Sequence, residues 1–251
     1  MRHPPAAATL TGMLLKTREF RPRTGPHAHR IVQPWPPLRH TTLDDPLAAR
    51  WSCLLGDHDG LSRLAALFSF AAFSRHTIVH VPLRESLPRA FSPGTPVDLV
   101  LVHPTAGLRP SAWPALRARL RAGTPLTVRT NEARTAAHAA DWHEDQDRRH
   151  ERAGSWLHPA VHARTLFLRG DRDVFCAAAT AFEAVAGFGP LDKRARQGHD
   201  VLRASLTSYL EPGYRWERPE IGIGFQAHPP LHRFRPPGSP ASRRSRTAAS
   251  G

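Results

Sequence analysis

The sequence predicts an α/β protein, a three-layer sandwich with a mostly parallel sheet of about five strands, flanked by disordered termini. Apolar runs of strand length, of which 97–102 is the clearest, alternate along the chain with segments of helical periodicity. Residues 220–226 alternate Ile and Phe with Gly and are a candidate antiparallel edge strand. The two ends of the chain are rich in proline and arginine and show no sustained period, which is typical of disorder.

The segment 97–130 has the clearest boundaries between predicted strands and helices. Nearly every residue of 97–102 is apolar, as expected for a parallel strand covered on both faces. Ser111 is placed to cap a helix that ends at Gly123, and 126–129 then has the composition of a strand. A strand, helix and strand of this length predicts a right-handed βαβ unit.

Outside this unit, the spacing of apolar residues predicts further helices and strands. Leu64, Leu67 and Phe68 illustrate the pattern, because they fall three and four residues apart and form one apolar face of a helix at 61–73. A helix at 133–152 is instead polar and charged, which indicates a solvated surface. In chain order, the predicted elements are helices at 47–55, 61–73, 133–152, 174–187 and 201–210, and strands at 77–81, 164–168 and 220–226.

By composition, the chain divides into three parts. Residues 1–48 form a basic, Pro-rich arm and residues 228–251 an Arg/Pro/Ser-rich tail, both predicted to be disordered. Residues 49–227 form the α/β domain. Residues 1–50 hold eight Lys or Arg against three acids, and 228–251 hold five Arg and no acid, so most of the net charge of +14 belongs to the ends.

The cysteines and the apolar segments indicate the cellular compartment of the protein. Cys53 and Cys176 are far apart and match neither a disulfide framework nor a zinc-site spacing, which favours a reducing cytoplasm. Residues 64–73 are the most apolar stretch, but they reach only half of the roughly 20 residues that cross a bilayer, so we expect no membrane segment. Glycine motifs for nucleotides and a G-x-S-x-G turn do not occur, and the sequence predicts no cofactor.

Polar side chains follow each predicted strand, where open α/β sheets bind ligands. His103 follows one strand, and Asp171 and Asp173 follow another, so a base oriented by a carboxylate is one interpretation. The other interpretation is that an aspartate there only caps the next helix. The predicted catalytic residues are His103, Asp171 and Asp173, and the predicted binding residues are Arg84, Glu85, Asn131, Glu132 and Arg172.

The polar helix at 133–152 offers a candidate metal site. Separations of four, seven and eight residues place four side chains on one helical face, and imidazole with carboxylate suits Zn, Mn or Fe. A solvated charged face is the alternative. The four residues are His143, Asp147, His150 and Glu151.

The arginines of the C-terminal tail could meet the phosphates of nucleic acid through non-specific, salt-sensitive attraction. Only Phe234 lies among them, so base stacking has little support. Inert ends, with an arginine excess that follows from GC-rich codon usage, are the alternative. The arginines are Arg233, Arg235, Arg243, Arg244 and Arg246.

Composition and motifs leave the function open, and they identify no partner beyond weak nucleic-acid contact through the tails. We expect a binding or regulatory module that acts through the loops at the carboxyl ends of its strands. One alternative is a hydrolase or transferase that uses His103 with Asp171 and Asp173. Another is a nucleic-acid accessory protein that uses its Arg-rich tails.

Overall fold

The structure is a computed structural model, and it describes residues 12–24, 27–49, 51–84, 94–145, 155–212 and 219–227. The strands of these residues are β1 Leu14–Phe20, β2 Arg23–Thr24, β3 His27–Ala28, β4 Arg30–Pro34, β5 Thr41–Leu43, β6 Trp51–Gly56, β7 Thr77–Val81, β8 Asp98–Val102, β9 Thr124–Arg129, β10 His158–His162, β11 Thr165–Arg169, β12 Val201–Ser205 and β13 Glu220–Phe225. The helices are α1 Pro46–Ala49, α2 His58–Ala72, α3 Trp113–Arg117, α4 Glu132–Glu144, α5 Arg172–Phe188 and α6 Lys193–Arg196.

The larger sheet has seven strands in the order β10-β11-β8-β7-β4-β1-β9 and is mixed. The pairs β11 with β8 and β4 with β7 are parallel, whereas the other four pairs are antiparallel. The mixed α/β class is therefore confirmed, but the prediction of a mostly parallel sheet of about five strands is wrong. Antiparallel neighbours send their carboxyl ends to opposite ends of the sheet, and this separates the polar loops.

A second sheet has four strands in the order β12-β13-β6-β5. The prediction that 220–226 is an edge strand is wrong. Strand β13 lies between β12, its antiparallel neighbour, and β6, its parallel neighbour. Gly222 and Gly224 of β13 admit the side chain of Leu202 from β12, since a Cβ at either glycine would lie 3.1 Å from Leu202 Cδ2. The close neighbour that these glycines indicate is therefore present.

Helices α2 and α5 form a layer between the two sheets, where the sequence predicts layers around a single sheet. One hydrophobic cluster extends from β7 and β8 through both helices to β6 and β13. The ring centroid of Phe68 in α2 lies 4.9 Å from that of Phe182 and 5.9 Å from that of Phe175 in α5. The stretch Arg172–Leu191 is long and apolar enough to cross a bilayer, but most of it is buried, as in a core helix.

On the other face of the larger sheet, the cover formed by the described residues lies over the sheet centre. Trp113 and Leu116 of α3 pack there with Ile78, Val100 and Phe167. At the edge of the sheet, Phe20 of β1 belongs to the same cluster, whereas Leu14 and Lys16 of β1 are exposed.

The best-predicted elements are α2, α5 and the strands of the sheet centre. Both helices begin at an aspartate N-cap: Asp57 accepts from the N–H of Gly60, and Asp171 accepts from the N–H groups of Asp173 and Val174. Such a cap contributes about 1 kcal/mol to stability. Strand β7 is found at the predicted bounds, and β8 and β11 lie within one residue of them.

The prediction that residues 1–48 form a disordered arm is wrong for the part that the structure describes. Residues 14–43 supply β1 to β5. Strands β1 and β4 pair with each other and insert between β7 and β9. The βαβ unit is wrong for the same reason, since β7, β4 and β1 separate β8 from β9, which run in opposite directions. The sequence pattern does not predict these strands, because the segment is rich in proline and has no sustained period.

Two predicted helices are largely strands, because residues 51–55 belong to β6 and 201–205 form β12. Short apolar runs fit either spacing, so the pattern alone cannot separate the two structures. Strand β10 is not predicted at all. Its hairpin to β11 turns at Ala163 and Arg164, with φ of 47° and 58°, where Asn-Gly is the usual signal for a turn of this kind.

Candidate functional site

The antiparallel pairings divide the predicted site residues between two ends of the larger sheet. Strands β8 and β11 are parallel neighbours, so His103 and Asp171, which follow them, lie at one end. Strands β7 and β9 run the other way, so Arg84, Asn131 and Glu132 lie at the opposite end. The carboxyl ends of the strands, where the sequence predicts ligand binding, therefore do not meet at one end of the sheet.

His103 forms no hydrogen bond or ion pair with the predicted aspartates in the part of the chain that the structure describes. Its Nδ1 accepts from the N–H of Thr105 at 3.2 Å and lies 2.8 Å from Thr105 Oγ1. Burial lowers the pKa of His103, and the charges of Arg75 and His76 lower it further. The ring therefore sits among positive groups, and its catalytic role stays a prediction.

The predicted aspartates have structural partners. Asp171 caps α5, as the alternative interpretation proposes. Asp173 Oδ1 accepts from Arg172 Nε at 2.9 Å and lies 3.1 Å from His138 Nδ1 of α4. Sequence reasoning missed His138, because its contact with Asp173 depends on how α4 packs on α5.

Arg84 is the partner of a buried carboxylate. Asp98, whose side chain is 3% exposed, accepts from the backbone N–H groups of Leu83 and Arg84 and from the Arg84 guanidinium at 2.9 Å. His80 Nε2 lies 3.6 Å from the same carboxylate, and its Nδ1 contacts Gln33. Burial by itself would raise the pKa of Asp98, but His80 and Arg84 hold it below the usual range. Arg84 thus neutralises a charge in the core.

Part of the predicted set lies outside the described residues. His143 is described and exposed on α4, with its ring centroid 5.1 Å from that of Trp142. Within the described ranges, no group of three or more His, Cys, Asp or Glu could hold a metal ion. The residues outside the described ranges, whose roles stay predictions, are Glu85, Asp147, His150, Glu151, Arg233, Arg235, Arg243, Arg244 and Arg246.

Neither cysteine offers a reactive thiolate. Cys53 lies in β6 and Cys176 is buried in α5, and both are free. Burial raises the pKa of each thiol to about 12. Because the thiolate is the nucleophile, neither side chain is activated at neutral pH.

A cleft of about 420 Å³ opens between α2, α4 and α5, beside the start of β1 and the end of β9. Ser62, Ala66 and Ser69 fall four and three residues apart on α2, and their small side chains leave the space. The lining residues are Gly12, Met13, Ser62, Ala66, Ser69, Thr130, Glu132, Thr135 and Glu183.

Ser69, Thr130 and Thr135 are buried and form the floor of the cleft. Hydrogen bonds within the protein use the protons of their hydroxyl groups. Thr135 donates to the carbonyl of Asn131 at 3.0 Å, so Ser69 Oγ, 2.7 Å from Thr135 Oγ1, must be the donor between them. Thr130 donates to the carbonyl of Met13 at 3.3 Å. Since a hydroxyl has one proton and two lone pairs, the floor presents acceptors to the cleft.

Two carboxylates, those of Glu132 and Glu183, also line the cleft. Glu132 begins α4 and Glu183 lies near the end of α5, and these helix ends meet because the two helices pack antiparallel. Glu183 is exposed as a residue, yet partial burial raises the pKa of its carboxyl, and the negative charge of Glu132 raises it further. A bound cation would relieve this repulsion.

Sequence reasoning found Glu132 but missed Glu183. Asn131, predicted with Glu132 as a binding residue, caps α4 by accepting from the N–H of Arg134. Glu183 is the single charged residue between Asp173 and Asp192. An isolated acid in an apolar helix is a usable signal, because a charge is rarely buried without a partner.

No family model, curated protein or solved structure matched this chain. The chemistry of the cleft is therefore the strongest functional evidence in the molecule.

Proposed function

We propose that the protein binds a small organic cation, an amine or guanidinium compound with several N–H donors, in the cleft between α2, α4 and α5. The observation that carries this proposal is that the cleft is lined by hydrogen-bond acceptors. The hydroxyls of the floor offer lone pairs, and Glu132 and Glu183 add two carboxylates. Charge-assisted N–H bonds to carboxylates are about twice as strong as neutral ones, so a donor-rich cation gains most.

The size and the charge of the cleft agree with this ligand class. Its volume of about 420 Å³ falls within the range of roughly 300–1,000 Å³ typical of small-molecule sites. Burial raises the pKa of the Glu183 carboxyl, and the negative charge of Glu132 raises it further, which supports a cation as the ligand. An ammonium or guanidinium group between the two carboxylates would favour their ionised forms.

Isothermal titration calorimetry with 1,4-diaminobutane and argininamide tests the proposal, with succinate and glycerol as anionic and neutral controls. We expect the cations to bind and the controls not to bind. Glu183→Gln should weaken cation binding at least tenfold, because a hydrogen bond to a charged group is worth about 1.5–3 kcal/mol. Glu144→Gln removes the same charge from the far end of α4 and should leave the affinity unchanged.

The pH dependence adds a second readout of the same experiment. Because the pKa of Glu183 is raised above 4.5, affinity should fall as the pH falls through that raised pKa, and cation binding in this pH range should release protons. Titrations in buffers of different ionisation enthalpy measure the proton release. Equal affinity of wild type and Glu183→Gln, or preference for succinate, would contradict the proposal.

A further inference from the structure

The part of the larger sheet that no described helix covers carries positive charge. Leu14, Lys16 and Arg18 of β1 alternate with the core-facing Leu15, and they therefore lie on the face opposite the helices. In the antiparallel register, Arg129 pairs with Leu14 and shares this face. We call the surface formed by Leu14, Lys16, Arg18, Pro125, Thr127, Arg129 and the adjacent Trp35 the basic sheet face.

Neither β1 nor β9 places a carboxylate beside Lys16 or Arg18 on the basic sheet face. Glu19, the single acid in the two strands, alternates to the other face and accepts from Arg21 and Arg30 at 2.6 and 2.7 Å. Lys16 and Arg18 form no ion pair with any described residue. Exposed arginines near the end of β1 extend the charge, and they are Arg23, Arg119 and Arg121.

An aromatic ring lies against this charge. Trp35 follows β4, is 43% exposed, and has the Arg18 guanidinium carbon 3.5 Å from its ring centroid. Leu14 is 67% exposed on the same face. A surface that combines cations with an exposed aromatic ring fits phosphates and the flat faces of unpaired bases.

We propose that the basic sheet face binds single-stranded nucleic acid, with the backbone phosphates along Lys16 and Arg18 and a base stacked at Trp35. Cations on alternate residues of a strand stand about 7 Å apart, which forms a track rather than a point. An acidic protein would match the charge but would gain nothing specific from the exposed aromatic ring. This inference is independent of the cleft, which opens on the helical side of the sheet.

The chain provides a matched pair of reporters, because Lys16 and Lys193 are its two lysines and both are exposed. We would acetylate the full chain with an amine-reactive ester, with and without a 15-nucleotide single-stranded RNA at low salt, and read each lysine by mass spectrometry. The RNA should protect Lys16 several-fold and leave Lys193 unprotected. Equal protection of both lysines, or of neither, would overturn the proposal.

Fluorescence anisotropy with the labelled RNA then separates stacking from charge. Trp35→Ala should weaken binding about tenfold and Trp35→Phe much less, since base stacking is worth about 1–3 kcal/mol. Lys16→Ala should reduce the slope of log affinity against log salt by about 0.7, whereas Lys193→Ala should not change it. Equal binding by Trp35→Ala, or equal protection of Lys16 by polyglutamate of the same charge, would refute nucleic acid as the partner.

Discussion

The two faces of the larger sheet differ in how they are covered. On one face, α2 and α5 fill the space up to the second sheet, and aromatic and aliphatic side chains form a single cluster. On the other face, the described residues cover the centre with α3, and β1 presents Leu14 and Lys16 to solvent. The comparison teaches that stability should depend on the closed face, whereas the open edge is free to carry charge for a partner.

The largest expected effect is on the closed face. Phe68→Ala should lower the free energy of unfolding by about 3–5 kcal/mol, because it removes a fully buried ring between Phe175 and Phe182 and leaves a cavity. Urea denaturation followed by circular dichroism measures this loss. A loss below about 1 kcal/mol would show that the layer between the sheets is not the main core.

The next effect concerns the buried charge under α3. Asp98→Asn should cost about 3 kcal/mol at neutral pH, because it leaves Arg84 without its carboxylate in a largely buried site. The control is Asp141→Asn, which removes an exposed carboxylate 3.9 Å from His138 and should cost less than about 1 kcal/mol. Similar losses in both variants, measured by urea denaturation, would refute the role of the buried network.

A smaller effect should appear as the pH is lowered. Burial lowers the pKa of His80 below 6.5, so the unfolded chain binds a proton that the folded protein resists. The free energy of unfolding should therefore fall as the pH drops below about 6.5, and the contribution of Asp98 should be lost only below 3.8. His80→Gln should flatten the upper part of this profile, and an unchanged profile would contradict the assignment.

The smallest effect is expected at the open edge. Leu14→Ser should change the free energy of unfolding by less than about 0.5 kcal/mol, because Leu14 is already 67% exposed. Thermal and urea unfolding of the variant check this value. A loss above about 1.5 kcal/mol would mean that the edge contributes to the core and that the two faces do not differ as described.

Particular residues show how far the sequence could predict the site. Glu132 was predicted as a binding residue, and it does line the cleft, but for a different reason from the one proposed. The predicted site residues do not all lie at one end of the sheet, because β7 and β8 run in opposite directions and separate Arg84 from His103. Glu183 could have been noticed as an isolated acid, but its closeness to Glu132 depends on the packing of α4 against α5.

The sequence by itself determined most of α2 and α5 and the strands β7, β8 and β11, because apolar periodicity is a local signal. Only the tertiary structure decided which strands pair, where β1 and β4 insert, and that two sheets enclose the helices. Backbone N–H and C=O groups are alike in nearly every residue, so they do not specify a partner strand. That choice is made by side chains distant in sequence, and it also creates the cleft and the basic sheet face.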